Sequence, residues 1–187
     1  MKARFVIPLM LLTACGLFSR SKSTFYSLER IPPATAVATT RGIPVAIDTI
    51  ELPPGFDRRD IVVRKADHQL DIREKEQWSA SLEPMVLHTL AFDLASRLPE
   101  GMVILPGQAR PAGAVRAIDV AVEDFAAGPE NVVVLDARWI VRESGGPSAT
   151  HHEQIRIDIE SLTSTNVAAG FSRALATLAD RMAAGLL

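Results

Sequence analysis

Only one cysteine, Cys15, stands among 187 residues. A lone thiol closes no intrachain disulfide and supplies no Cys-rich zinc site, so stability has to come from an apolar core. Charge of one sign is missing too: 20 Lys and Arg stand against 22 Asp and Glu, for a net charge of −2. The basic residues are scattered, without the stripe that marks a nucleic-acid partner. No apolar run reaches the ~18 residues that a spanning helix needs, and no internal repeat is visible. Nor does any Ser-His-Asp or Cys-His set stand in a context for nucleophilic catalysis. Gly145-Gly146-Pro147 lacks the lysine and the helix start of a phosphate-binding loop. What the chain does have is 48% hydrophobic and 22% charged residues, the mix of a globular protein, at a length that fits one domain.

The N-terminus reads as an export signal. Lys2 and Arg4 form a short positive region, and Phe5 to Leu12 is almost unbroken apolar sequence, too short to remain as a membrane span. Leu12-Thr13-Ala14-Cys15 follows, a large aliphatic residue and two small ones before cysteine. This resembles the lipobox of bacterial lipoproteins. In that class the thiol carries diacylglycerol, the bond before the cysteine is cut, and the new amino group takes a further acyl chain such as palmitate. Several chains on one residue hold a protein at a membrane where one would not, at ~0.8 kcal/mol per buried CH2. The expected division is therefore a signal peptide over 1–14, an acylated N-terminus and tether over 15–23, and a single domain over 24–187. Gly16 is not the aspartate that retains lipoproteins in the inner membrane, so the resemblance implies the periplasmic face of the outer membrane.

The remaining sequence divides by hydrophobic period. Residues 24–28 and 43–52 are strand-like; 53–60 is a turn with the makings of a short helical turn; "IVVRK" and "QLDIR" form a hairpin around "ADH". Residues 81–98 predict a helix with Ser81 as N-cap, Pro84 in its first turn, and an apolar stripe of Leu82, Met85, Val86, Leu90, Leu94 and Leu98. "MVILP" is a further strand. Three long strands then follow in an expected antiparallel meander, the middle one with Val133, Leu135, Ala137, Trp139 and Val141 on one face and Asp136, Arg138 and Arg142 on the other. A second helix begins near Ser164 and buries Val167, Phe171, Leu175, Leu178, Met182 and Leu186.

The lipobox, then Tyr26-Ser27-Leu28, "LPPGFDRRDIVVR", a tryptophan leading into "WSASLEPMVLHTLAFDLASRL", the strand "VVVLDARWIV" and a last helix make up an order. It resembles the ABC-type transport auxiliary lipoprotein family (PqiC-like), from Cys15 to the C-terminus. The resemblance implies an α/β fold, with a mixed, largely antiparallel sheet and two main helices packed on it, similar to the N-terminal domain of TolB. It also implies an envelope lipid-transport system comprising an inner-membrane ABC transporter, an MCE-domain protein that carries lipid across the periplasm, and this lipoprotein at the outer membrane. MCE proteins are rings, and a symmetric partner favours a homo-oligomer. No cofactor is expected beyond the acyl groups on Cys15, and no enzymatic activity.

Each candidate site has a structural alternative. Phe56, Asp57, Arg58 and Arg59 could offer a partner an apolar anchor with polar contacts, or could simply cap a helical turn and fix the next strand. Trp78, at the mouth of the first helix, joins them as a candidate partner contact, whereas Trp139 reads as core with an N–H in need of a partner. His151 and His152 point to opposite faces of a strand and cannot share one metal ion. Two other functional classes stay open. One is a lipid-binding lipoprotein; the other is a lipid hydrolase with its acid and base among Asp57, Asp60, His68 and Asp71.

Overall fold

The structure is a computed structural model that describes residues 22–33, 42–143 and 146–186. The expected signal peptide, Cys15 and most of the tether lie outside the described residues. Among the described residues the elements are β1 (Thr24–Tyr26), β2 (Val45–Glu51), β3 (Asp60–Arg64), β4 (Leu70–Trp78), α1 (Leu82–Ala95), β5 (Val103–Ile104), β6 (Arg116–Gly128), β7 (Val132–Arg142), β8 (Ala149–Asp158) and α2 (Ser164–Leu186).

They form one open, mostly antiparallel sheet with both helices against the core, as the sequence led one to expect. The β6-β7-β8 meander is its backbone, in antiparallel register from Gly128↔Val132 to Ala117↔Arg142 and from Val132↔Asp158 to Val141↔Ala149. The period-2 pattern of β7 holds: Val133, Leu135, Ala137 and Trp139 are fully buried, while Arg138 and Arg142 are exposed. The β3-β4 hairpin forms where "ADH" bends the chain, with Asp67 and His68 in left-handed conformation at its tip.

Parallel pairing is what the strand patterns did not reveal. β2 lies between β5 and β6, parallel to both, and β1 runs parallel to the end of β4. One edge of β6 pairs with β7. The other is shared along its length, Arg116 to Ala121 facing β2 and Ala127 facing β3. A 13-residue strand is long enough to serve both.

α2 presents the expected stripe, with Val167, Phe171, Leu175, Leu178, Met182 and Leu186 all buried. Gly170 lets it sit close to the sheet, since a Cβ there would lie 2.7 Å from Val133 Cγ2 and 2.8 Å from Ile159 Cγ2. α1 is buried more widely than one stripe: Thr89, Ala91 and Asp93 are enclosed along with Leu82, Val86, Leu90 and Leu94. It packs against α2 as well as against β2 and β5. No helix among the described residues is long and apolar enough to cross a membrane.

Candidate functional site

The connection from β2 to β3 runs through Leu52-Pro53-Pro54-Gly55-Phe56-Asp57-Arg58-Arg59. Neither proline can donate to a strand ladder, so pairing stops there. Gly55, at φ +89°, reverses the chain in a conformation that a Cβ would strain, and the Phe56 N–H donates to the Pro53 carbonyl at 3.2 Å. The segment stays a turn and does not wind into a helix.

Its neighbours hold this turn on several sides. Asp57 Oδ1 accepts from the Glu83 N–H at 3.3 Å, so a carboxylate 26 residues upstream in sequence sits at the positive end of α1. The expected N-cap, Ser81, makes no side-chain bond to the helix. The Arg59 carbonyl accepts from the Trp78 N–H at 2.7 Å, which ties the turn to the end of β4. Asp60 takes Gln77 Nε2 at 2.8 Å and lies 3.4 Å from Arg58 Nη2. The Phe56 ring faces the Arg64 guanidinium, 5.5 Å from its centroid. Arg64 is itself clamped by Asp124 through two bonds of 2.9 Å, and this bidentate pairing raises the Arg64 pKa above its ordinary value. Asp57 and Arg59 are exposed, Phe56 and Arg58 half-buried, and Arg58 Nε has no partner among the described residues.

Trp78 does not belong to this surface. It is 2% exposed and stacks on Phe171 at 5.6 Å, and Phe171 stacks in turn on Phe125 at 4.0 Å. The tryptophan expected at an open helix mouth is instead the inward-facing last residue of β4, paired with Tyr26 of β1 and covered by α2. Trp139 is core, as its strand face implied. Its Nε1–H has no partner among the described residues, and its ring stacks on His151 at 3.8 Å.

The four groups of the hydrolase reading are not assembled. Asp57 caps α1, and Asp60 is bound to Gln77. Asp71 lies on the opposite face of the hairpin, 3.5 Å from Arg73 Nε and 3.8 Å from Lys65 Nζ. His68 sits at the hairpin tip, beyond a strand whose five residues extend roughly 15 Å from Asp60.

The two histidines of β8 do face opposite sides. His151 lies against Trp139, while His152 Nε2 meets Asp136 Oδ1 at 2.6 Å on the outer face. Glu123, the extra residue of a bulge in β6, brings a third potential metal ligand to within 4.8 Å of these two. Yet Arg138 Nη2 is 2.9 Å from Glu123, and Gln154 Nε2 donates to the second oxygen of Asp136 at 3.3 Å. The carboxylates are thus already partnered, Glu123 by a guanidinium and Asp136 by an imidazole and an amide. The set reads as a cross-strand ion-pair ladder.

Two groupings were not foreseen from the sequence. One is the Arg64–Asp124 clamp, whose members come from strands paired only by the fold. The other joins the buried Asp93 and Arg97 to the exposed Asp180 at the α1–α2 contact. Asp93 lies in the last turn of α1 and Arg97 four residues on, in the turn just past it, and that spacing was its available signal.

The family model for the ABC-type transport auxiliary lipoprotein component matches residues 26–183. The chain belongs to that family. Its members are transport auxiliary components and lipoproteins, not a class of enzymes, which ties this protein to the cell envelope and to an ABC transport system. No curated protein matches the chain in sequence. A crystal structure of an uncharacterized protein superposes with a TM-score of 0.73 at 17% identity, over 89% of this chain and 99% of that one. A second, protein XCC0632 from Xanthomonas campestris, of the DUF330 family, gives 0.64 at 15% identity, over 85% and 92%. At such identities these likenesses show a shared fold.

Proposed function

We propose that this protein is the outer-membrane auxiliary lipoprotein of an ABC/MCE-type lipid transport system. Acyl chains on Cys15 anchor it to the periplasmic face of that membrane, and its folded domain docks the MCE-domain protein that carries lipid from the transporter. Confining both partners to one thin compartment raises their effective concentration, so a modest docking surface suffices. A ring-shaped partner favours a homo-oligomer of matching symmetry.

The observation that carries the docking surface is the Phe56–Arg59 turn. It is exposed at Asp57 and Arg59, yet bound through its backbone or side chains to α1, β4 and β3. A turn held in place before binding loses little entropy on docking, and Phe56 supplies apolar area beside charged neighbours. Co-purification of the anchored protein with its MCE partner tests this. Arg59→Glu and Phe56→Ala should each weaken retention about tenfold or more, consistent with loss of an interface residue, while the melting temperature holds. Undiminished retention by both variants overturns the assignment. For the anchor, mass spectrometry of the native protein should find residue 15 acylated at the new N-terminus; an intact signal segment with a bare thiol refutes it.

A further inference from the structure

Residues 27–33 leave β1 and cross both helices without joining a helix or a strand. Several of their backbone groups meet side chains instead. The Leu28 N–H faces Met85 Sδ at 3.4 Å, and the Glu29 N–H donates to Ser172 Oγ of α2 at 3.0 Å. The Ile31 N–H donates to Asp93 Oδ1 at 2.9 Å, and the Ile31 carbonyl accepts from Arg97 Nη1 at 3.1 Å. Ile31 is therefore held from both sides, by Asp93 of α1 and by Arg97 in the turn that follows it.

Asp93 is an unusual choice for this task. It is 1% exposed, and its second oxygen, Oδ2, is buried without a partner among the described residues. The charges packed around it do not neutralise it directly. Arg97, in the turn just past α1, spends Nη1 on carbonyls and on the Ser96 hydroxyl, and directs Nε to Asp180 Oδ1 of α2 at 2.5 Å. Asp180 is a second negative charge near Asp93. Arg30, on the strap itself, lies over the Phe92 ring at 3.4 Å. An ionised carboxylate here keeps one oxygen without a donor, whereas the neutral acid still accepts from Ile31 and buries no charge.

We propose that Asp93 is a proton-operated latch on the 27–33 strap, closed most firmly when its carboxyl is neutral and loosened when it ionises. Loosening admits water at the crevice of about 400 Å3 bordered by Arg30, Ile31, Pro32, Phe92 and Ser96. The same burial that leaves Oδ2 unpartnered pushes the Asp93 pKa up to about 6, from 3.8. With the strap open the carboxyl is solvated and titrates near the ordinary value. Opening therefore becomes easier as pH rises from about 4 to about 6 and changes no further above that.

Amide hydrogen exchange on the full-length protein between pH 4 and 8, corrected for the intrinsic pH dependence of exchange, tests the proposal. Protection of residues 28–31 should fall by tenfold to about 100-fold between pH 4 and 6 and then level off. Asp93→Asn should remove that step and leave protection in β7 as it is. A wild-type profile without the step, or an identical step in the variant, overturns the latch. If the variant does not fold, the side-chain carboxyl carbon of Asp93 can be followed by NMR in the wild type. A midpoint near 6 supports the proposal, and one below about 4.5 overturns it.

Discussion

Phe56 and Trp78 are both large apolar residues beside the same turn, and their surroundings give them opposite roles. Phe56 rests half-buried against a guanidinium, while Trp78 is enclosed by Phe171 and the end of β1. Trp78→Ala should therefore cost about 3–5 kcal/mol in denaturant unfolding, whereas Phe56→Ala should cost less than ~1 kcal/mol. Equal losses would mean that Phe56 is a core residue and a poor anchor for any partner. Gly170 supplies a second measurement. A methyl group there meets two β-branched side chains closer than real Cβ contacts allow, so Gly170→Ala should destabilise by about 1–3 kcal/mol despite its better helix propensity. An unchanged or raised melting temperature would show that α2 can shift away from β7.

At the scale of elements, the long strands and α2 were legible because each has one dominant environment. β7 alternates cleanly and α2 carries an unbroken stripe, so period alone gave both type and buried face. α1 was legible as a helix but not as a packing unit. It is enclosed by the sheet, by α2 and by the strap, and its buried set takes in Thr89 and Asp93, which a one-stripe pattern leaves out. Its start is at the expected N-cap, Ser81, but that side chain makes no bond to the helix. The nearby serine fits the capping rule, yet the carboxylate that reaches the Glu83 N–H comes from the β2–β3 turn. Trp78 was placed at the surface because the sequence shows a tryptophan before a helix, and does not show that β4 runs on to that residue with inward parity.

For the whole molecule, two carboxylates give stability opposite dependences on pH. Arg142, with help from Thr49, holds the Asp119 carboxyl below the usual range. Its contribution is present above about pH 4 and is lost as pH falls through that lowered value. Asp93 is pushed up, so the folded state binds its proton more tightly than the unfolded chain does, and stability declines as pH rises from about 4 to about 6. Comparing unfolding free energies of the wild type and Asp93→Asn at pH 4 and pH 7 should reveal a difference of about 2–3 kcal/mol in the wild-type dependence. A pH-independent difference between the two proteins would place Asp93 in contact with water. The same scale carries the functional reading, because family membership concerns the ordered set of elements from Tyr26 onward and no single reactive group.

By itself, the sequence determined the kind of elements, their order, the inward faces of β7 and of α2, and a family resemblance that the match over 26–183 bears out. These follow from local periodicity and from motifs read in order along one chain. Only the tertiary structure decided the parallel pairings of β2, the division of β6 between two neighbours, the cap supplied by Asp57, the burial of Trp78 and the strap held by Asp93 and Arg97. Each of these joins groups distant in sequence. Nothing in a local pattern records such a partner, because burial and pairing are properties of the packed chain and not of the segment that contributes to them.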